Sequence, residues 1–202
     1  FADRGALALS GDQSLLSVSS ITGWAPWSGE PDAGYTIELT LRASTVAGVR
    51  TLLRLCAPTA IAEVTSALRL NIEDGRLVVE IAGTRLLTTS TVPLDRWCHV
   101  ALIGRPDGSL SLRVDDASAL ELGAGGAQPI ARTGTLILGS ERTDSARAAF
   151  AGRLSELRLW KLAREVVDIR LLRGERLTGR EEALSCYYPL ATLSTTLQGG
   201  QI

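Results

Sequence analysis

Hydrophobic and polar residues alternate along much of the chain, as they do in strands that are buried on one face. In Tyr35–Arg42 the apolar residues occupy every second position, and Thr36, Glu38 and Thr40 lie between them. Because side chains of a strand point to opposite faces in turn, we predict an antiparallel strand whose polar face contacts water. Further strands are predicted at Ala6–Ser10, Leu15–Val18, Val49–Cys56, Thr135–Leu138 and Leu154–Trp160, with a closing strand that ends at Leu190.

A hairpin is predicted over Leu68–Ile81, with a two-residue type I′ turn at Asp74-Gly75. In this register every apolar residue faces an apolar residue, and both charged pairs have opposite sign. A shift of one residue would lose all of these matches. The predicted facing pairs are Glu73 with Arg76, Ile72 with Leu77, Leu70 with Val79, Arg69 with Glu80, and Leu68 with Ile81.

A second hairpin is predicted over Trp97–Val114, with Asp107 and Gly108 at the centre of its turn. This places Ile103 opposite Leu112 and Ala101 opposite Val114. The first strand is apolar on both faces, so we expect it to be covered on both sides.

The region after residue 150 combines a strand with a short helix. Leu154 lies an odd number of residues before Leu157 and Leu159, so a bulge near Ser155 and Glu156 is needed to bring all three leucines inside. Leu162–Arg173 has apolar residues at helical spacing and is predicted to be an amphipathic helix that closes one end of the domain.

Several of these segments resemble one family. The pattern F-x-G-x-L-x-E-L-R-L-W at Phe150–Trp160 resembles the closing signature of laminin-G-like, concanavalin A-like jelly rolls, and D-x-W-x-H at Asp95–His99 resembles their central strand. The resemblance implies an all-β fold, a two-sheet antiparallel jelly-roll sandwich with one short helix near the C-terminus. Residues 1–190 would form a single domain, and residues 191–202 a linker or tail.

Composition narrows the choice of partners. A net charge of −1 over 202 residues lacks the broad basic field of a nucleic-acid binder. No apolar stretch approaches the roughly 18 residues that a membrane span needs, so no membrane insertion is expected. The chain has no methionine, and we expect a processed product or a domain of a longer protein. Its location is not readable from the sequence, but the family resemblance implies an extracellular or cell-surface protein.

The sequence lacks the motifs that would indicate a hydrolase. His99 is the only histidine, and on an apolar strand it is predicted to be a packed, hydrogen-bonded core residue. There is no Gly-x-Ser-x-Gly elbow and no Glu-x-Asp-x-x-Glu run of the kind that β-glucan-cleaving relatives carry, so we predict that the domain is not an enzyme. Cys56, Cys98 and Cys186 lack zinc-site spacing. They are predicted to be reduced and buried, although one disulfide in any of three pairings stays open.

Two tryptophans lie in a loop that precedes the strand at Tyr35. Trp24 and Trp27 flank Ala25-Pro26 in the segment from Ile21 to Gly34. Two interpretations are open. Their flat apolar faces could form a platform on which a sugar ring stacks, or they could plug the end of the sandwich.

Four loop carboxylates are candidate calcium ligands, because calcium takes six to eight oxygen ligands, usually from loops. They are Asp12, Asp32, Glu141 and Asp144. The loop at 139–144 resembles the calcium-carrying loop of pentraxins, although its second acidic residue falls one place late and Arg142 adds a positive charge. The alternative is that all four are ordinary solvated carboxylates.

The resemblance implies a non-catalytic recognition module of a larger secreted or surface protein, which binds glycans or mediates cell adhesion through loop residues. Its partner would be a glycan or a protein receptor. The alternative is a docking or architectural domain that binds neighbouring domains of the parent chain, and a glycoside hydrolase is a distant third. This functional expectation is an analogy, since function belongs to sites rather than folds.

Overall fold

In the computed structural model the chain folds into a sandwich of two antiparallel sheets with one short helix. This confirms the predicted fold class. The structure describes residues 6–11, 16–21, 34–56, 66–81, 84–115, 117–123, 134–140 and 148–190. The elements are β1 (Leu7–Ser10), β2 (Leu16–Ile21), β3 (Tyr35–Ala43), β4 (Val49–Cys56), β5 (Ser66–Glu73), β6 (Arg76–Ile81), β7 (Thr84–Thr91), β8 (Trp97–Gly104), β9 (Leu110–Val114), β10 (Ala117–Leu122), β11 (Gly134–Leu138), β12 (Ala151–Trp160), α1 (Val166–Leu172) and β13 (Leu184–Tyr188).

The seven-stranded sheet has the strand order β1-β12-β3-β8-β9-β10, and β13 also pairs with β12. The six-stranded sheet has the order β2-β11-β4-β5-β6-β7. β1 and β13 share one edge of β12, since β1 pairs with residues 151–154 and β13 with residues 157–160. Strands distant in sequence are therefore neighbours in both sheets.

The main hydrophobic core lies between the two sheets. Leu39 and Leu41 enter it from β3, and Leu70 and Ile72 enter it from β5. All four are buried, and burial of each such side chain stabilises the fold by about 1.5–3 kcal/mol. The alternation read from the sequence thus identifies the inward face of both strands.

The hairpin of β5 and β6 has the predicted register, with all five facing pairs as expected. Asp74 and Gly75 have φ of 45° and 84°, the positive values that a type I′ turn requires at both central residues. The prediction is confirmed.

The hairpin of β8 and β9 differs from the prediction by one residue. Leu102 lies opposite Leu112, and Ile103 lies opposite Ser111. The reason is the loop length: the Arg105 amide donates to the Ser109 carbonyl at 2.9 Å, so three residues form the turn instead of two. A three-residue turn with its last residue in the left-handed region is a common hairpin type, and Gly108 has φ of 77°.

The irregularity predicted in β12 is present. The register of β12 against β3 shifts between Ser155 and Arg158, and Glu156 has φ of 53°. The shift brings Leu154, Leu157 and Leu159 into the same core, as predicted.

Two strands, β7 and β10, were not predicted. β7 is an edge strand of sequence TRLLTTST whose residues are mostly exposed or half-buried, and β10 is the edge of the other sheet. An edge strand packs against fewer neighbours, so its sequence carries a weaker apolar alternation. Pairing with β6 and β9 decides these two elements.

The segment between β12 and β13, residues 161–183, is called the strap. Its helix α1 is shorter than predicted, and Ile169 packs against Ala101 and Ile103 on the outer face of the seven-stranded sheet. The strap therefore covers the part of this face that β3, β8 and β12 form. None of the helices in the described part of the chain is long and apolar enough to cross a membrane.

The prediction that Thr36, Glu38 and Thr40 face water is wrong. Their exposed fractions are 0%, 0% and 2%. The alternation shows correctly that these side chains point away from the main core. It does not show that a segment from more than a hundred residues later in the chain is hydrogen-bonded to Thr36 and Glu38.

Candidate functional site

The loops and turns of the described residues lie at two opposite ends of the sandwich. One end, called the hairpin end, contains the turn at Asp74-Gly75, where the Gly75 amide donates to the Val46 carbonyl at 2.8 Å. The opposite end, called the helix end, contains Gly34, the turn after Gly104, and the junction of Trp160 with Leu184. β3 has nine residues and runs between the two ends, a span of about 30 Å at the usual rise of a strand.

Trp24 and Trp27 lie outside the described residues, as does Asp32. The residues that flank their segment are Ile21 and Gly34, both at the helix end. Gly34 has φ of 67°, and a Cβ there would lie 2.4 Å from the carbonyl oxygen of Gly104. Glycine alone tolerates both the positive φ and this close approach. The chain therefore enters β3 in tight contact with the turn after Gly104.

Asp12, Glu141 and Asp144 also lie outside the described residues. Their flanking residues are Gly11 at one segment and Ser140 and Ala148 at the other. All three flanks belong to the hairpin end, where the Phe150 amide donates to the Gly139 carbonyl at 2.7 Å. The flank of the Asp32 segment is thus at the opposite end from the flanks of the other three candidate ligands.

The described residues contain no group of three or more His, Cys, Asp and Glu side chains that could hold a metal ion. Cys56 and Cys98 are buried. Burial, with a smaller contribution from the charge of Asp115, raises the pKa of Cys98 to about 12. The predicted burial is confirmed for Cys56 and Cys98, whereas Cys186 is only half-buried.

A buried ionic cluster, which we call the Glu38 cluster, lies on the outer face of the seven-stranded sheet. It consists of Glu38, His99, Arg158 and Arg164. Arg164 Nη1 lies 2.8 Å from Glu38 Oε1, and His99 Nε2 lies 3.0 Å from Glu38 Oε2. Arg158 Nη1 is 3.6 Å from Glu38 Oε2. One carboxylate therefore faces two guanidinium groups and an imidazole.

The Glu38 cluster is sealed from solvent. The exposed fraction of each of its four side chains is 6% or less. Burial by itself would raise the pKa of Glu38, but the hydrogen bond and charge of His99, with the charges of Arg158 and Arg164, lower it below its ordinary value. Glu38 is thus held as a carboxylate. No substrate can reach it in this arrangement, so the cluster supports a structural role rather than acid–base catalysis.

His99 is a buried, hydrogen-bonded residue of the sheet, as predicted. Its ring bonds Glu38, and its backbone amide donates to Asp115 Oδ1 at 2.9 Å. The cluster as a whole was not predicted, because its members come from β3, β8, β12 and the strap, and no sequence spacing joins them. The sequence signal was weak, because Glu38 and Arg158 occupy outward-facing positions of β3 and β12, where a charged residue is also expected on a surface that contacts water.

The cluster also holds the strap in place. Arg158 Nη1 donates to the Leu172 carbonyl at 2.8 Å, and its Nη2 bonds the Glu175 carbonyl and, at 3.0 Å, Glu156 Oε2. Arginine suits this position because its planar group presents several donors at fixed angles. The last turn of α1 and the residue three places after it are therefore fastened to β12 by one side chain.

Thr36 fastens the start of the strap. Its hydroxyl donates to the Leu162 carbonyl and accepts from the Arg164 amide, both at 2.9 Å. The Arg164 guanidinium lies 4.1 Å from the centre of the Trp160 ring, within the range of a cation–π contact.

The outer face of the six-stranded sheet carries a different arrangement of charges. Arg69 and Glu80 form an ion pair at 3.2 Å, and their side chains are 26% and 29% exposed. Arg85 adds bonds to Glu73 and, at 3.9 Å, to Glu80. This ladder across β5, β6 and β7 is open to water.

Residues 25–170 match the concanavalin A-like lectin/glucanase superfamily, so the chain belongs to that superfamily. The match includes all strands from β3 to β12, hence both hairpins, and most of α1. It confirms the resemblance read from the sequence. No curated protein matches the chain.

Solved structures show the same fold at low sequence identity. A candidate carbohydrate-binding protein from Bacteroides ovatus is 18% identical with a TM-score of 0.62, and the match covers 95% of this chain. The chain spans only half of that protein's length, at 50%. A heptameric SAP-like pentraxin from Limulus polyphemus is 13% identical with a TM-score of 0.64, covering 96% of this chain and 100% of the pentraxin.

A third similar structure is the CBM40 module of the Ruminococcus gnavus IT-sialidase, bound to α2,3-sialyllactose. It is 16% identical with a TM-score of 0.58, and the match covers 79% of this chain and 96% of the module.

Proposed function

We propose that this domain is a non-catalytic, lectin-like module that binds carbohydrate. The observation that carries the proposal is the likeness to the CBM40 module bound to sialyllactose, because the match takes in 96% of a structure that is itself a single binding module. Membership of the concanavalin A-like lectin/glucanase superfamily and the likeness to the Bacteroides ovatus protein support the same class of ligand.

We place the binding site in the loops at the ends of the sandwich. The two outer sheet faces are less suitable in the described part of the chain, because the strap covers β3, β8 and β12 on one face and the other face carries a ladder of paired charges. Trp24 and Trp27, whose segment has its described flanking residues at the helix end, are our candidate sugar-binding residues, because a tryptophan ring offers a broad apolar face with a polar N–H at its edge.

Calcium is a separate part of the proposal. Carboxylate oxygens are suitable ligands for calcium, and Asp12, Glu141 and Asp144 belong to segments whose described flanks share the hairpin end. These three are best tested together. Asp32, whose segment joins β3 at Gly34, is best tested by itself.

The test is a glycan-array screen of the purified domain, run with added calcium and again with a chelator. Trp24→Ala and Trp27→Ala are compared with the wild type, and Trp97→Ala serves as the control for loss of an indole on a strand. Binding that is lost in both loop variants and kept in the control supports the aromatic platform. Binding that is lost only with the chelator supports the loop carboxylates instead.

Absence of binding under both conditions would overturn the lectin proposal. The second candidate, a docking domain, would then take its place. One observation favours that candidate: on α1, Val167 and Leu171 are 60% and 69% exposed, one helical turn apart on the side that faces away from the sheet. An extracellular or cell-surface location and a role in adhesion belong to the proposal with either partner.

A glycoside hydrolase remains the third candidate. The Glu38 cluster offers it little, because both Glu38 and His99 are buried. Release of reducing sugar from any glycan that the array identifies would overturn the non-catalytic assignment.

A further inference from the structure

The strap differs from the rest of the domain in what holds it. Within residues 161–183, all of which are described, the buried apolar side chains are Ile169 and Leu177. Ile169 belongs to a small cluster with Ala101 and Ile103 that is separate from the main core. The strap therefore gains little from hydrophobic burial, the dominant favourable contribution to folding elsewhere in the domain.

Polar contacts replace the missing apolar ones, and they converge on Glu38. Arg164 reaches Glu38 from the strap at 2.8 Å. Arg158 holds the carbonyls of Leu172 and Glu175 from the sheet, and its charge faces Glu38 at 3.6 Å. Without the Glu38 carboxylate, two buried guanidinium groups would lose a counter-charge, which is strongly unfavourable away from water.

The closed arrangement also leaves polar atoms without hydrogen bonds. Arg158 Nε and Trp160 Nε1 are buried and have no hydrogen-bond partner in the described structure. Both residues contact the strap. Buried donors without partners carry a desolvation penalty, and they would regain hydrogen bonds with water if the strap moved away. This lowers the free energy needed to open it.

We propose that the strap is a conformational device that opens from the seven-stranded sheet as one unit while the sandwich stays folded, and that Glu38 is the group that holds it closed. The hydrogen bonds between the strap and β3 and β12 all involve side chains. Opening therefore breaks no hydrogen bond between strands of the sandwich. It would uncover Glu38, His99, Arg158 and Trp160 on the sheet.

Native-state hydrogen exchange tests the proposal on the wild-type protein. The reporters in the strap are the amides of Arg164 and Leu177, which donate out of the strap to the Thr36 hydroxyl at 2.9 Å and to the Tyr187 hydroxyl at 3.3 Å. The reference is the hairpin of β5 and β6. We expect the strap amides to exchange at least about tenfold faster than the slowest hairpin amides, as for a local opening, and with a weaker dependence on denaturant. Equal rates with equal denaturant dependence would overturn the proposal.

The variant Glu38→Gln tests the role of the carboxylate. We expect strap exchange to rise by on the order of a hundredfold, and hairpin exchange to rise by the same factor while it stays slower than exchange in the strap. The ratio of the strap rate to the hairpin rate measures the free energy of unfolding that remains once the strap is open. Because Glu38 is solvated in the open form, the substitution should leave this ratio as it is in the wild type. Loss of protection in both regions together, with a ratio near one, would contradict the proposal.

Glu80→Gln is the matched control, because Glu80 pairs with arginines on the outer face of the other sheet. It should leave strap exchange unchanged, and faster strap exchange in this variant would remove the special role of Glu38. If Glu38→Gln does not fold, Arg164→Gln replaces it. That variant removes the cation that the strap supplies and leaves Glu38 with His99 and Arg158, and unchanged strap exchange would then count against the proposal.

Discussion

The outer faces of the two sheets use the same kinds of residue in opposite ways. On the seven-stranded sheet, Glu38 is fully buried between Arg158 and Arg164 beneath the strap. On the six-stranded sheet, Arg69 and Glu80 pair at the surface with more than a quarter of each side chain exposed.

Burial, rather than the number of ion pairs, decides how much a charged side chain contributes to stability. An exposed pair is screened by water and contributes roughly 0–1 kcal/mol. A buried group that loses its partner leaves a desolvated charge behind, and the loss is several times larger. Four measurements test this difference between the two faces.

The largest effect is expected for Glu38→Gln. Removing the carboxylate leaves Arg158 and Arg164 buried without their shared counter-charge, and we expect the free energy of unfolding to fall by about 3–5 kcal/mol. If the free energy of strap opening in the wild type is smaller than this, the variant occupies the open form. The loss of unfolding free energy then equals the free energy of strap opening. Urea unfolding of the variant and the wild type measures it, and a loss below about 1 kcal/mol, as for a surface pair, would contradict the assignment of a buried network.

Acid should produce a related loss in the wild type. The pKa of Glu38 is lowered from an ordinary value of 4.5, because its charged form is bonded by His99, Arg158 and Arg164. Its contribution to stability is therefore fully present above pH about 4.5 and is lost as the pH falls through the lower pKa of the folded state.

Unfolding free energies of the wild type and of Glu38→Gln, measured from pH 7 downwards, check this. The difference between the two proteins should be constant near neutral pH and should shrink below pH about 4.5. A difference that grows on acidification would show that the pKa of Glu38 is raised in the folded state instead of lowered.

A smaller effect is expected for Thr36→Val. Valine has nearly the same shape, but it removes the hydroxyl that bonds the Leu162 carbonyl and the Arg164 amide. We expect a loss of about 1–3 kcal/mol in unfolding free energy, because a backbone donor and acceptor of the strap are left unpaired. Thr84→Val, at an exposed position of β7, is the control, and an equal loss in that variant would point to a general effect of valine.

The smallest effect is expected for Glu80→Gln on the other sheet. The pair with Arg69 is partly exposed, so we expect a change of about 0–1 kcal/mol, and a smaller one at high salt. Differential scanning calorimetry at low and high ionic strength measures it. A loss as large as that of Glu38→Gln would end the distinction between the two faces.

The register of the first hairpin could be predicted because its information is local. The turn residues Asp74 and Gly75 and five matched pairs all lie within fourteen consecutive residues, Leu68–Ile81. The second hairpin was missed by one residue because its turn has three residues, and Pro106, Asp107 and Gly108 suit turns of either length. The bulge in β12 was predictable because Leu154 and Leu157 cannot both face inward on a regular strand.

The candidate sugar and calcium residues follow from residue chemistry, from their positions in predicted loops and, for the loop at 139–144, from the resemblance to pentraxins. All six stay predictions: Trp24, Trp27, Asp12, Asp32, Glu141 and Asp144. The structure adds where the segments that carry them join the sandwich. Gly34 marks one end and Gly11 and Ser140 mark the other. Sequence spacing could not separate these two groups, because the strand order of the sheets decides it.

In the sequence, the motifs at Phe150–Trp160 and Asp95–His99 indicated the family and, through the resemblance, the two-sheet fold. Alternation and turn residues, which act over a few positions, indicated the inward face of most strands. Only the tertiary structure decided which outward faces meet water. Glu38 and Glu80 both follow the pattern of a wet face, yet one is sealed and the other is exposed. The physical reason is that burial of an outward face depends on a distant segment, and the strap lies more than a hundred residues after Glu38.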